Sequence, residues 1–191
     1  MNPTMIDAHF HAWQLNRGDY GWLKPELSPI YRDVTVGEWA QHASNDQIKG
    51  GVLVQAAPTF EETLFLLEQA QSHPMVKGVV GWIDMLSDDA VEKVVQCAAS
   101  PLLKGLRPML QDIDDADWVL QAKIQPVLNA MAAHNLVLDA LIKPVHISRI
   151  LEVTRAHRNL KVSSTMAPNP SSKWPICQVG KMQWHSSLKK P

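Results

Sequence analysis

The feature that most constrains this fold is a repeated alternation of a short apolar run with an amphipathic helical pattern. Short apolar runs predict strands buried on both faces, and apolar residues spaced three or four positions apart predict helices. Strands separated by single helices imply parallel pairing with right-handed crossovers. The predicted strands cover 5–11, 51–55, 76–83, 103–109, 136–141 and the residues from 160, and the predicted helices cover 36–43, 61–72, 88–98, 117–133 and 145–156.

Two of these helices carry recognisable start signals. Thr35 is followed three positions later by Glu38, which is the spacing of a capping box. Ser87 precedes Asp88 and Asp89, and acidic residues in a first turn suit the helix dipole. We therefore predict Thr35 and Ser87 as N-caps.

The first predicted strand contains a His-X-His pair. In Met5–His11 the apolar residues alternate with polar ones, so His9 and His11 should project from the same side, about 6–7 Å apart along the strand. Two imidazoles placed in this way could share a metal ion if the fold supplies further ligands. The alternative is that they only end a strand and meet solvent.

Composition excludes several classes of function. The 191 residues are 46% apolar and 19% charged, with a net charge of −1 and no basic stripe, so nucleic acid and anionic membrane are poor partners. No N-terminal signal pattern and no apolar stretch of membrane-spanning length is found, so we expect a cytoplasmic protein.

Cys97 and Cys177 are too far apart for a ligand-spaced cluster, and Cys97 is predicted to be a core residue.

Acidic residues are unevenly distributed along the chain. The last of them is Glu152, and the segment 163–191 has four lysines and no acid. This change in composition predicts a boundary near Val162. We therefore divide the chain into a folded unit, 1–162, and a C-terminal segment, 163–191, that is expected to be disordered.

Six short motifs follow one another along the chain, at 6–13, 19–23, 52–56, 78–84, 105–112 and 138–141. In this order they resemble the amidohydrolase-related TIM-barrel hydrolases, especially the sugar-lactonase branch that opens L-fuconolactone and L-rhamnonolactone. The resemblance implies an α/β fold, here an incomplete (β/α)8-type TIM barrel with about five to six parallel strand-helix units.

The resemblance also implies a set of site residues at the carboxyl ends of the strands. Intact relatives commonly bind a divalent metal, zinc above all, and the matching ligands here are His9 and His11. Two imidazoles alone hold a metal weakly, so we do not rely on metal in this chain. Arg107 and Asp112 are the expected catalytic residues, and the expected partner is a small sugar lactone. The expected substrate-binding residues are Trp22, Trp82, Asp84, Gln111 and Asp139.

Structural roles remain open for several of these residues. Arg107 could form an ion pair with Asp84 or Asp112 instead of binding substrate. Asp84 could cap a helix or order a loop instead of binding substrate, and the same alternatives are open for Asp139. Trp22 and Trp82 could stack on a sugar ring or simply pack in the core.

One family motif is missing at the position where it is expected. A segment Ile-Asp-His-X-Ala-Lys-Pro should follow Val162, but the chain reads Ser163-Ser164-Thr165-Met166-Ala167-Pro168. Permissible codons for 162–170, read one base out of frame, spell Val-Ile-Asp-His-Gly-Ala-Lys-Pro. We therefore predict that 163–191 is an out-of-frame translation and that the barrel is truncated.

The expected chemistry is hydrolysis of a cyclic ester. A metal or cationic group would polarise the lactone carbonyl and activate water, and a carboxylate would accept the proton. Metal-independent lactone hydrolysis and decarboxylation remain alternatives within enzymes. Because an incomplete barrel leaves open sheet edges, we expect little activity and a tendency to aggregate or oligomerise. The alternative function is that of a non-catalytic remnant that packs on a partner.

Overall fold

A computed structural model describes residues 5–166 and contains one curled sheet of six parallel strands. The strands lie in chain order across the sheet, from β1 at one edge to β6 at the other within the described residues. This arrangement confirms the incomplete TIM-type barrel. The strands are β1 (Met5–Phe10), β2 (Ile48–Val54), β3 (Val76–Gly81), β4 (Leu103–Leu106), β5 (Val137–Ile142) and β6 (Lys161–Met166).

One α-helix connects each strand to the next, as the apolar periodicity predicts. The helices are α1 (Val36–Asn45), α2 (Phe60–Ser72), α3 (Ala90–Ala98), α4 (Gln125–Ala133) and α5 (Ile147–Ala156). Thr35 caps α1 by accepting a hydrogen bond from the Glu38 amide, so that cap is confirmed. The Ser87 cap is wrong: α3 begins after Asp89, and the Ser87 hydroxyl donates to the Asp84 carbonyl.

The predicted helix over 117–133 is shorter than expected. Only Gln125–Ala133 is α-helical, and Trp118–Leu120 forms a separate 3-10 turn. Pro126 lies in the first turn of α4, where its missing amide hydrogen costs no helical hydrogen bond. The proline therefore marks a helix start that apolar periodicity alone did not locate.

The register of the strands decides which side chains face the helices. Phe10 stacks on Trp39 of α1 with ring centroids 3.8 Å apart, so the Phe10 face of β1 meets the helices. Phe10 is level with Leu53 on β2, and Leu106 on β4 is level with Leu138 on β5. All three leucines are buried in the main hydrophobic core between sheet and helices.

Strand β6 crosses the boundary that the composition suggests at Val162. Ser163, Ser164 and Thr165 pair in register with Asp139, Ala140 and Leu141 of β5. The rest of 163–191 lies outside the described residues, as does Cys177. The assignment of this segment as non-native therefore stays a prediction.

Two smaller expectations concern the described part of the chain. Cys97 is buried, and burial raises the pKa of its thiol to about 11, so the prediction of a core cysteine is confirmed. Among residues 5–166, no helix has the length and apolar character needed to cross a membrane.

Candidate active site

Four polar side chains from three strands meet on the inner face of the sheet, at the carboxyl ends of the strands. His9 and His11 flank the helix-facing Phe10, so their side chains lie on the opposite, inner face. Arg107 and Asp139 directly follow the register pair Leu106 and Leu138 and share that face. The carboxyl ends of parallel strands are where barrel enzymes place their sites.

The hydrogen bonds of the two histidines determine where their protons lie. The Nδ1 atom of His11 is 2.9 Å from the carbonyl oxygen of Val54, which only accepts, so Nδ1 carries the hydrogen. The Nε2 atom of His9 is 3.1 Å from Nη1 of Arg107, which only donates, so this Nε2 is an acceptor. In the neutral pair, both Nε2 atoms therefore present lone pairs.

The two Nε2 atoms lie at short range. The Nε2 atoms of His9 and His11 are 3.0 Å apart. Burial is the main cause that lowers the pKa of His9 to about 4, and the neighbouring His11 and Arg107 lower it further. Burial also lowers the pKa of His11. The pair is thus neutral at neutral pH, with the Nε2 lone pair of His9 accepting from Arg107 and that of His11 able to accept from a cation or a hydrogen-bond donor.

Arg107 lies between the histidines and a buried carboxylate. Its Nε atom is 3.8 Å from Oδ2 of Asp139, which is too long for a hydrogen bond, and both residues are less than 10% exposed. Burial raises the pKa of Asp139 and outweighs the opposing effects of Arg107 and of the Ser163 hydroxyl. The alternative left open for Arg107, an ion pair with Asp84 or Asp112, is wrong, because the carboxylate nearest its Nε atom is that of Asp139.

The histidine pair fits two positions of a divalent metal site. The Nε2 separation of 3.0 Å is close to the roughly 3.3 Å expected for two nitrogens bound tetrahedrally to zinc. The Nδ1 hydrogen of His11 is held by a backbone carbonyl, as is usual for a metal-binding imidazole. Within residues 5–166, however, no group of three or more His, Cys, Asp or Glu side chains is arranged to hold a metal.

Two residues next to the site were not predicted from the sequence. Gln55, at the end of β2, is 2% exposed and donates from Nε2 to the Arg107 carbonyl, 3.3 Å away. Ser163 is paired in register with Asp139 and its side chain lowers the pKa of that carboxyl, although the composition places Ser163 in the C-terminal segment. A polar residue that ends an apolar strand, as Gln55 does, was the available signal.

Three other predicted residues surround a cavity at the same end of the sheet. Trp82, Asp84 and Asp112 line a space of about 210 Å³ between the loops that follow β3 and β4. Trp82 is fixed by α2, since the Thr63 hydroxyl both accepts from its amide and donates to its carbonyl at 2.7 Å. In the part of the chain that the structure describes, none of these three side chains is hydrogen-bonded to His9, His11 or Arg107.

The remaining predicted residues, Trp22 and Gln111, lie in loops. Trp22 donates from Nε1 to the Ala56 carbonyl and meets Trp13 edge to face, yet it stays 41% exposed. Gln111 donates to Asp112, 2.8 Å away. Trp22 therefore joins the loop after β1 to the loop after β2, and Gln111 orients a carboxylate at the cavity.

Comparison with known proteins gives a consistent result. A family model described as amidohydrolase matches residues 6–165. The chain is 36% identical over 183 residues to an L-fucono-1,5-lactonase of Burkholderia ambifaria, covering 96% of this chain and 62% of that protein. It is 30% identical over 125 residues to an L-fucono-1,5-lactonase of Burkholderia multivorans, covering 62% of this chain and 42% of that protein.

Solved structures agree with the sequence matches. The fold superposes with a TM-score of 0.76 on the crystal structure of an amidohydrolase from Burkholderia multivorans with bound zinc, at 25% identity. That match covers 85% of this chain and 57% of the other. The chain thus spans less than two thirds of the length of these relatives. Because the alignment with the B. ambifaria protein extends over 183 of the 191 residues, it reaches into 163–191.

Proposed function

Since the chain belongs to the amidohydrolase family, we propose that its strand ends carry out hydrolysis of a sugar lactone, with L-fucono-1,5-lactone as the first candidate. The observation that carries this proposal is the meeting of two neutral imidazoles, a buried guanidinium and a buried carboxylate at one end of the sheet. These groups supply hydrogen-bond acceptors, a fixed positive charge and a proton acceptor. A positive charge beside the carbonyl oxygen and a base for water both accelerate ester hydrolysis.

In this proposal Arg107 binds the lactone carbonyl. Its Nε atom is buried and has no hydrogen-bond partner within the described residues, so it has a donor to offer a substrate. Guanidinium keeps its charge even though burial lowers the pKa of Arg107. Charge that develops on the carbonyl oxygen during attack by water would be stabilised by this donor.

Asp139 is the carboxylate that we propose as proton acceptor. It is buried beside Arg107, and burial raises its pKa above that of an ordinary aspartate, which strengthens it as a base. It takes a proton from water as the water oxygen bonds to the carbonyl carbon. It returns that proton to the ring oxygen when the ring ester bond breaks, which gives the open sugar acid.

Asp112, the carboxylate expected from the family resemblance, lies at the cavity beside Gln111. Its catalytic role stays an untested prediction from the resemblance; we assign the proton acceptor to Asp139 instead and give Asp112, with Asp84, contacts to substrate hydroxyls. Trp82 and Trp22 offer aromatic faces for the sugar ring.

A divalent metal would be held by Nε2 of His9 and of His11, and when bound it would supply Lewis-acid polarisation and a more acidic water. The zinc in the B. multivorans structure supports this proposal for the family. The described residues supply two of the ligands. One of them, Nε2 of His9, accepts a hydrogen bond from Arg107, and a metal would have to displace that bond.

The proposal is tested by following acid release from L-fucono-1,5-lactone with the purified chain. We expect hydrolysis above the buffer rate but far below that of the B. ambifaria relative, because the chain matches only 62% of that protein. Arg107→Gln should reduce the enzymatic rate by about 100-fold, which is typical for loss of a transition-state donor. Arg155→Gln, on the exposed side of α5, is the matched control and should leave the rate unchanged.

Circular dichroism of each variant establishes that it is folded. If folded Arg107→Gln retains the wild-type rate, or if the wild-type chain does not exceed the buffer rate, the proposal is wrong. A wild-type rate equal to that of the relative would contradict the expectation of low activity.

A further inference from the structure

The cavity between the loops after β3 and β4 differs in character from the polar group around Arg107. Its volume is about 210 Å³, and its inner walls include Ile83 and Met85, each 1% exposed. Met109 and Trp118 close it from the side of β4. A cavity with such walls favours an apolar group, because a hydroxyl there would lose its hydrogen bonds to water.

The cavity lies at the same carboxyl end of β3 and β4 as Arg107, and two of its lining residues follow Arg107 in the chain. Pro108 and Met109, which line it, directly follow Arg107, and Trp82 lies one position beyond the register pair Gly81 and Leu106. A ligand bound at Arg107 therefore has a neighbouring space into which a substituent of a few atoms can extend.

The mouth of the cavity carries two carboxylates. Asp84 accepts the Leu86 amide through Oδ1, and Asp112 accepts from Gln111 through Oδ2. Both residues are exposed, and each has a second oxygen to receive a hydrogen bond. The combination of apolar walls and acceptors at the mouth suits a polyol ring that carries one apolar substituent.

We propose that this cavity is a specificity subsite for the terminal methyl group of a 6-deoxy sugar lactone. The inference rests on the proposed function and deepens it, since it selects among sugar lactones by the group at the terminal carbon. Met109 is the specificity-determining residue, because it is half-buried, lines the cavity and lies two positions from Arg107.

Binding of stable ring analogues tests the subsite without relying on turnover. L-fucono-1,5-lactam and L-galactono-1,5-lactam differ only by a hydroxyl on the terminal carbon, and their amide resists hydrolysis. Calorimetry with the full chain should show that the 6-deoxy lactam binds at least about tenfold more tightly, which is the usual scale for an added hydroxyl in an apolar pocket.

Met109→Gln keeps the side-chain length but adds an amide, so it should bring the affinity ratio of the two lactams close to one. Met75→Gln is the matched control: Met75 is also half-buried but precedes β3 at the opposite end of the sheet. Its ratio should equal that of the wild type. Thermal unfolding of both variants establishes that each is folded.

The outcomes separate the two proposals. Equal affinity of the wild-type chain for both lactams, or an unchanged ratio in folded Met109→Gln, would overturn the subsite while leaving lactone hydrolysis standing. Failure of both lactams to bind would overturn the subsite together with the proposed function.

Discussion

The Nε2 atoms of His9 and His11 lie 3.0 Å apart although neither carries a hydrogen in the neutral pair. The arrangement follows from the partners of each ring, a backbone carbonyl for His11 and a guanidinium for His9. Burial and the neighbouring guanidinium disfavour a proton on this pair, so the groups that the two nitrogen atoms can accept are a neutral hydrogen-bond donor or a metal ion.

The first prediction concerns the protonation of this pair. The side-chain nitrogen signals of His9 in NMR spectra should stay those of a neutral imidazole until the pH falls to about 4. The folded pKa lies below the usual 6.5, so the unfolded chain binds the proton first and stability should fall as the pH drops from 6.5 towards 4. An exposed histidine, His42 of α1, supplies the comparison within the same spectra. Titration of His9 near pH 6.5 would contradict the prediction.

Zinc affinity is the second measurable property. Calorimetric titration should show weak binding of one zinc ion, and His11→Gln should weaken it at least tenfold because one of two imidazole ligands is lost. His42→Gln removes an exposed histidine on α1 and should have no effect. Zinc binding that is the same in folded His11→Gln as in the wild type would place the metal elsewhere.

The third prediction concerns Glu62, which is fully buried. Its carboxylate accepts from the amides of Ala56 and Ala57 and so holds the loop after β2 against α2. Burial is the main cause that raises the pKa of Glu62 to about 7. Because the folded chain then binds the proton more tightly than the unfolded chain, the free energy of unfolding should decrease as the pH rises from about 4.5 to 7.

Urea unfolding at a series of pH values measures this slope. Glu62→Gln should remove most of it, whereas Glu61→Gln, on the exposed side of α2, should leave it unchanged. A slope that persists undiminished in Glu62→Gln would assign the pH dependence to another group.

The fourth prediction concerns the gene rather than the protein. If 163–191 is an out-of-frame translation, the bases around codon 162 should encode Val-Ile-Asp-His-Gly-Ala-Lys-Pro in a neighbouring frame. Nucleotide sequencing of that region decides the matter. Bases that cannot encode the histidine segment in any frame would refute the hypothesis and leave the composition of 163–191 to be explained otherwise.

The sequence predicts the repeated strand-helix units well because burial on both faces leaves a strong apolar pattern, as in β2 and β3. It predicts less about connections, since the 3-10 turn at Trp118–Leu120 has the same apolar residues as a helix. The Thr35 cap was predictable from local spacing. Helix α3 begins after Asp89 and not after Ser87, because the Ser87 hydroxyl is hydrogen-bonded to the Asp84 carbonyl in a turn that local spacing does not predict.

The candidate site, too, is predicted from the sequence only in part. Local alternation places His9 and His11 on one face, and the family resemblance points to Arg107. That Arg107 has Asp139 as its carboxylate neighbour depends on strand register and on the curl of the sheet, and local patterns contain neither. Gln55 bonds to the Arg107 carbonyl across β3, a contact between residues that are distant in sequence.

The contact between His9 and Arg107 joins the first strand to the fourth across the hollow of the sheet. Within the described residues, β1 is an outermost strand that is bonded only to β2. Fraying at that border would separate the imidazoles from the guanidinium while the packed centre stayed intact. The site should accordingly be lost under milder denaturing conditions than the fold. Loss of the hydrolysis rate would then reveal the separation of β1 from β4 before any signal of global unfolding appears.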